Sequence, residues 1–210
     1  YSFQQSYHKE SLMRLMYKQL ETAIKYKNIV LFKAVLENKK ITINIILKVF
    51  EKYHNYLNFD ILKTLFVHDK YNKEIFTSYK KVKEKILSYQ QKMKEISNSK
   101  RPFIYYDDIY FYSHYNPLVS NFYLKLMDII GKNKKLSNNV ISFAKNNKYY
   151  IQYDELTLIL YKHNNVSSCL DCYEKINNRY VYPFKYNKER LDIFKKIQEM
   201  SIQKNKIDNF

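Results

Sequence analysis

A chain of 210 residues can hold one substantial hydrophobic core or two small ones, and its 46% hydrophobic and 17% aromatic content is that of a folded protein despite a mean hydropathy of -0.57. The formal charge of +17, from 37 basic and 20 acidic residues, is the footprint of a protein with an anionic partner. The single glycine, Gly131, excludes phosphate-cradling loops, dinucleotide fingerprints and G-x-S-x-G elbows, so the chain reads as non-catalytic and without a cofactor.

The charge has a second source. Lysine, tyrosine and asparagine dominate while glycine, proline and tryptophan are scarce, as AT-rich coding would produce, and such codons supply lysine by default. An uncommitted lysine-rich surface is therefore the alternative to an anionic partner. Cys169 and Cys172 are too close and too few for a disulfide framework, which points to a reducing intracellular compartment. The longest apolar run, residues 41–50, is interrupted by Thr42, Asn44 and Lys48, so no membrane insertion is expected. The chain starts at Tyr1, and a targeting segment cannot be read from it.

In chain order, Leu12, Met16, Leu20 and Ile24 recur at four-residue steps and predict an amphipathic helix over 8–26. A short helix near 28–38 follows. Thr42 caps a third over 43–54, with Ile46, Val49, Phe50 and Tyr53 inward, and Asp60 caps a fourth carrying Ile61, Leu62, Leu65 and Phe66. Ile75, Tyr79, Val82, Ile86, Tyr89, Met93 and Ile96 form a heptad seam and predict one long helix near 71–97, studded with lysines. Asn98 to Pro102 is the candidate hinge, dividing an N-terminal helical region, 1–98, from a C-terminal helical-hairpin region, 103–210, which can also pack as one body. The aromatic block 103–112 reads as a packed loop with one short helix. Pro117 starts a helix with Val119, Phe122, Leu126 and Ile129 that ends at Gly131 as a C′ residue. Further helices are expected at 136–147, 154–164, 166–177 and 187–206, with Ser137 and Asn187 as caps and Pro183 between the last two. The fold class is all-α, an irregular helical bundle or a short α-solenoid of helical hairpins.

A repeat of about thirty residues relates Leu136-Ser137 through Phe143 to Val166-Ser167 through Tyr173, each helix followed by an asparagine pair, and Tyr150-Ile151 to Tyr180-Val181. On these features the stretch from Asn121 to Met200 resembles the pentatricopeptide and heptatricopeptide families of helical-hairpin RNA-binding proteins. Tyr153-Asp154 and Pro183-Phe184 stand where those repeats carry glycine and Pro-Asp, so no base-reading residue is carried over. The resemblance implies a helical surface lying on RNA, as in helical subunits of mitochondrial ribosomes from AT-rich protists.

Other constellations have plainer readings. His163 with Cys169 and Cys172 gives H-x5-C-x2-C without a second cysteine pair, and core thiols explain it better than zinc or redox chemistry. The histidines His8, His54, His68, His114 and His163 are scattered, and Asp107-Asp108 reads as a capping or turn pair. Lys148-Tyr149-Tyr150 and Arg179-Tyr180-Val181-Tyr182 suit stacking on single-stranded RNA, against the reading that tyrosine lines the core margin.

The expectation is thus a non-catalytic structural subunit of an organellar, mitochondrial ribosome, in contact with rRNA and neighbouring proteins and with no small-molecule substrate. Two basic ridges would bind the RNA. Lys80, Lys81, Lys83, Lys85, Lys92, Lys94, Lys100 and Arg101 form the first; Lys132, Lys134, Lys135, Lys148, Arg179, Lys185 and Lys188 form the second. A protein–protein scaffold docking on the heptad seam, or an exported helical surface protein, are the alternatives. No metal ligand or catalytic residue is expected.

Overall fold

Asparagine side chains cap three of the helices among the described residues. In the computed structural model, which describes residues 2–78, 80–84, 87–88, 91, 95, 121–177 and 188–207, Asn28, Asn58 and Asn133 each accept a backbone N–H three residues on, at 2.9, 2.9 and 3.0 Å. Each cap satisfies one otherwise orphaned donor and contributes about 1 kcal/mol. The helices they open are α2 (Ile29–Leu36), α4 (Phe59–Val67) and α7 (Lys134–Asn146). Thr42 caps α3 (Ile43–Lys52) as expected. Asp60 and Ser137 do not act as caps. Asp60 sits in the first turn of α4, and the buried Ser137 hydroxyl donates instead to the Ile130 carbonyl at 3.1 Å. The remaining helices are α1 (Ser2–Lys25), α5 (Asp69–Ile75), α6 (Asn121–Ile130), α8 (Tyr153–Lys162), α9 (Val166–Asn177) and α10 (Lys188–Ile207), with a 3-10 turn at His54–Tyr56. Among the described residues there is no β-strand, and the architecture is an all-α bundle.

Helix ends are closed without glycine. Lys27, Lys148 and Asn164 take positive φ (53, 55 and 56°), and each begins a left-handed turn after α1, α7 and α8. Paired hydrogen bonds mark all three as Schellman closures: Asn28 to Ala23 with Lys27 to Ile24, Tyr149 to Ala144 with Lys148 to Lys145, and Asn165 to Leu160 with Asn164 to Tyr161. Gly131, expected to supply such a turn, has no positive φ. It serves close approach instead, because a Cβ there would collide with the imidazole ring of His163.

The predicted stripe of α1 buries Met16, Leu20 and Ile24, joined by Ala23, while the side chain of Leu12 lies outside the described residues. Helix α1 packs on α2 and α3, and α4 packs on α2 and α5. The buried Tyr71 hydroxyl donates to the Ile41 carbonyl at 2.9 Å, where Lys70 Nζ also donates at 2.7 Å, tying α5 to the turn between α2 and α3. Burial pushes the Tyr71 phenol up to about 12.

The long helix predicted near 71–97 is broken. Helix α5 stops at Ile75, Phe76 is extended (φ -112°, ψ 140°), and helix resumes at 80–84. The cause is tertiary: the Phe76 ring, 6% exposed, enters a cluster with Phe66 (5.0 Å between centroids), Tyr123 (5.7 Å), Phe143 (5.8 Å) and Tyr149 (4.5 Å, stacked). A continuous helix would turn that ring away from its partners. Residues Tyr79, Ile86, Tyr89, Met93 and Ile96 of the seam lie outside the described residues, as do the hinge 98–102, the aromatic block 103–112, Pro117, Val119, Pro183 and Asn187.

Helices α6 to α9 are two successive helix pairs. Their buried positions recur: Leu126 and Ile130 match Leu156 and Leu160, thirty residues on, whereas Leu136, Val140 and Ala144 match Ser168, Cys172 and Ile176, thirty-two residues on. Both turns are three residues long, 131–133 and 163–165, but α8 runs two residues beyond the position that matches the end of α6, so the register anticipated from Leu136-Ser137 and Val166-Ser167 is displaced. Helix α6 touches α3, α5, α7 and α8, and one continuous cluster of buried side chains runs from Met16 to Ile197. Both regions share that core.

Candidate nucleic-acid interface

From Ile129 to Tyr153 the chain carries Lys132, Lys134, Lys135, Lys145 and Lys148 and no acidic residue. The structure lays this stretch out as α7 and its two flanking turns. Helix α7 buries Leu136, Ser137, Val140, Ile141 and Ala144 against the bundle, so that Lys134, Lys135, Asn138, Ser142, Lys145 and Asn146 are exposed on its other side. None of the five lysines forms an ion pair among the described residues.

The two ends of this face are built differently. At the C-terminal end, the left-handed turn at Lys148 redirects the chain so that Tyr149 pairs with Ser78 and the Tyr150 N–H donates to the Thr77 carbonyl at 2.8 Å. This contact brings the start of the first ridge to the second: Lys80, Lys81 and Lys83, all exposed, begin two residues beyond Ser78, which pairs with the residue after Lys148. Lys80 faces Glu84 at 4.0 Å, but both are exposed and water screens the pair.

At the N-terminal end Lys132, Lys134 and Lys135 cluster where α7 begins. Positive side chains oppose the helix dipole there, and no acid offsets them in the first turn. The turn behind them is held by hydrogen bonds. His163 Nε2 lies 2.8 Å and Lys162 Nζ 2.9 Å from Asp128 Oδ1, and Asn165 Nδ2 donates to the Gly131 carbonyl at 3.2 Å. Burial raises the Asp128 carboxyl, but hydrogen bonds from Lys162 and His163 outweigh it and hold the group below its usual value. Lys162, unlike the five lysines of this stretch, is thus paired with a carboxylate.

Of the residues anticipated from sequence, Lys80, Lys81, Lys83, Lys132, Lys134, Lys135 and Lys148 lie on or beside α7. Lys188 does not join them, since it opens α10, which packs on α8 and α9. Lys85, Lys92, Lys94, Lys100, Arg101, Arg179 and Lys185 lie outside the described residues. Lys145 was missed, although the absence of acids around it was visible in the sequence.

The tyrosine beside Lys148 is used internally. Tyr149 stacks on Phe76 at 10° between ring planes, and Asn72 Nδ2 donates to its hydroxyl at 2.8 Å. Phe76 is buried in this pair, and Tyr149 and Tyr150 are both half-buried. Cys169 and Cys172 are buried and unbonded to each other, and burial pushes both thiols up to about 12, where no thiolate forms near neutral pH. His163 turns to Asp128 rather than to the thiols, and among the described residues no group of three or more His, Cys, Asp or Glu is placed to hold a metal. Asp107-Asp108 lies outside the described residues, and among those described no helix is long and apolar enough to cross a membrane.

The chain matches no family model, no curated protein and no solved structure.

Proposed function

We propose that this chain is a non-catalytic, RNA-associated structural protein that binds phosphate backbones through the α7 face and the adjoining lysines at 80–83. The observation that carries the reading is the acid-free exposed side of α7, from Lys132 to Lys148. Codon bias supplies lysine; what marks this stretch is that its five lysines are exposed and none meets a carboxylate among the described residues. A lysine cluster at a helix N-terminus also works against helix stability, and a bound anion would offset that cost. Binding driven by counterion release needs only amines that are free of acidic neighbours.

The assembly to test first is a mitochondrial ribosome, the setting that the helical-hairpin resemblance implies. Native protein would co-sediment with ribosomal particles and leave them after nuclease treatment. With purified chain and a short RNA, about five phosphate contacts give a slope near -4 for log affinity against log salt. Absence of binding at low salt would sink the proposal. The seam-docking scaffold is less favoured, because Ile75 and Val82 are already covered within this chain.

A further inference from the structure

The arrangement of α7 bears on which form of RNA it meets. Lys134 and Lys145 are eleven residues apart, about 16 Å along the helix. At about 100° per residue, Lys134, Asn138, Ser142 and Lys145 fall within about 80° of one another and share one exposed line. Positive charge sits at both ends of that line. Its middle is neutral and short: Ser142 is exposed, and Asn138 gives its amide oxygen to the Ser168 hydroxyl at 2.6 Å, keeping its amide nitrogen as donor.

A protein that follows a single strand presents a continuous basic track with aromatic rings on which bases stack. Neither element is present on this face. The middle of α7 carries no lysine between Lys135 and Lys145. Among the described residues, the exposed aromatic rings are Tyr26 and Tyr56, on the α1–α2 turn and the 3-10 turn, while Tyr149 is stacked on Phe76. What remains is a pair of cationic ends separated by hydrogen-bonding groups of modest size. A-form duplex RNA offers the complement: two phosphate backbones bordering a wide, shallow minor groove that displays 2′-hydroxyls.

We infer that α7 lies across the minor groove of double-stranded RNA, with Lys132, Lys134 and Lys135 on one backbone, Lys145 and Lys148 on the other, and Asn138 and Ser142 over the 2′-hydroxyls between them. Recognition is by shape and sugar, without base reading. The inference rests on the RNA-binding reading above and adds the class of RNA.

The test is fluorescence anisotropy on the full chain with three labelled probes of one sequence: an RNA duplex, its single strand and the corresponding DNA duplex. The RNA duplex should bind about tenfold or more tightly than either competitor. Lys134→Gln and Lys145→Gln, both at exposed positions, should each weaken duplex binding and together abolish the preference, with the helical circular dichroism unchanged. Equal or tighter binding of the single strand, or of the DNA duplex, overturns the inference and leaves nucleic-acid binding standing. Failure of all three probes to bind at low salt overturns the RNA-binding reading itself.

Discussion

The two lysine-bearing surfaces, the α1–α5 layer and α7, differ in the company their lysines keep. Residues 1–78 contain thirteen Lys and Arg with seven Asp and Glu, and several of those cations are engaged within the fold. Lys52 meets Glu21 at 3.0 Å and lies over the Tyr53 ring with Lys25, while Lys70 donates to the Ile41 carbonyl. Residues 129–153 contain five lysines and no acid. Lysine is the background of this composition, and the informative variable is where its counter-charges are missing.

The joint between the two surfaces is the most sensitive point of the fold. Phe76→Ala removes the ring shared by Phe66, Tyr123, Phe143 and Tyr149, and a buried aromatic truncated in this way costs about 3–5 kcal/mol. Chemical denaturation should show one cooperative transition for the native chain and a much lower midpoint for the variant. An unchanged midpoint would mean that the ring cluster does not couple the two regions.

A charge-matched pair of variants addresses the surfaces directly. Lys134, Lys135, Lys145 and Lys148 changed together to Glu should weaken RNA binding by about a hundredfold or more, whereas Lys18, Lys27, Lys33 and Lys48 changed to Glu should weaken it by less than about threefold. Both sets alter net charge equally and all eight residues are exposed. Equal losses would reduce α7 to a share of the overall charge.

The smallest expected effect separates backbone from side chain. A non-glycine residue in a left-handed turn costs about 1–2 kcal/mol, part of which glycine returns through its freer unfolded chain. Lys27→Gly and Lys148→Gly should therefore each stabilise the protein by about 0.5–1 kcal/mol in denaturant titration. Only Lys148→Gly should also lower the salt slope of RNA binding, by about one phosphate contact. A matching change in Lys27→Gly would contradict the difference between the surfaces.

Local chemistry was readable in the sequence wherever local forces decide the structure. The Thr42 cap and the stripe of Met16, Leu20 and Ile24 follow from hydrogen bonding and periodicity within a few residues. The errors arose where a distant side chain decides. The seven-residue spacing across Ile75 and Val82 gave no hint that Phe76 would leave the helix to join rings from Phe66 to Tyr149. Ser137 resembles a cap in sequence, but the carbonyl it satisfies, Ile130, belongs to the preceding helix. Gly131 was expected to bend the chain, whereas it makes room for a histidine thirty-two residues away. For the interface, the lysines were visible individually. That α7 places Lys132 and Lys148 at opposite ends of one face, and that the Thr77–Tyr150 hydrogen bond adds the lysines at 80–83, required the fold.

The left-handed closures at Lys27, Lys148 and Asn164 have a consequence in the genetic code. From lysine or asparagine codons, glycine is more than one base change away. The intermediates from lysine, arginine and glutamate, fit a left-handed turn no better than lysine does. Asparagine, one base change from lysine and better suited to a left-handed turn, already stands at 164, yet lysine is kept at 27 and 148. At Lys148 the retained lysine keeps an amine at the edge of the α7 face, where a substitution that relaxes the backbone would delete the charge.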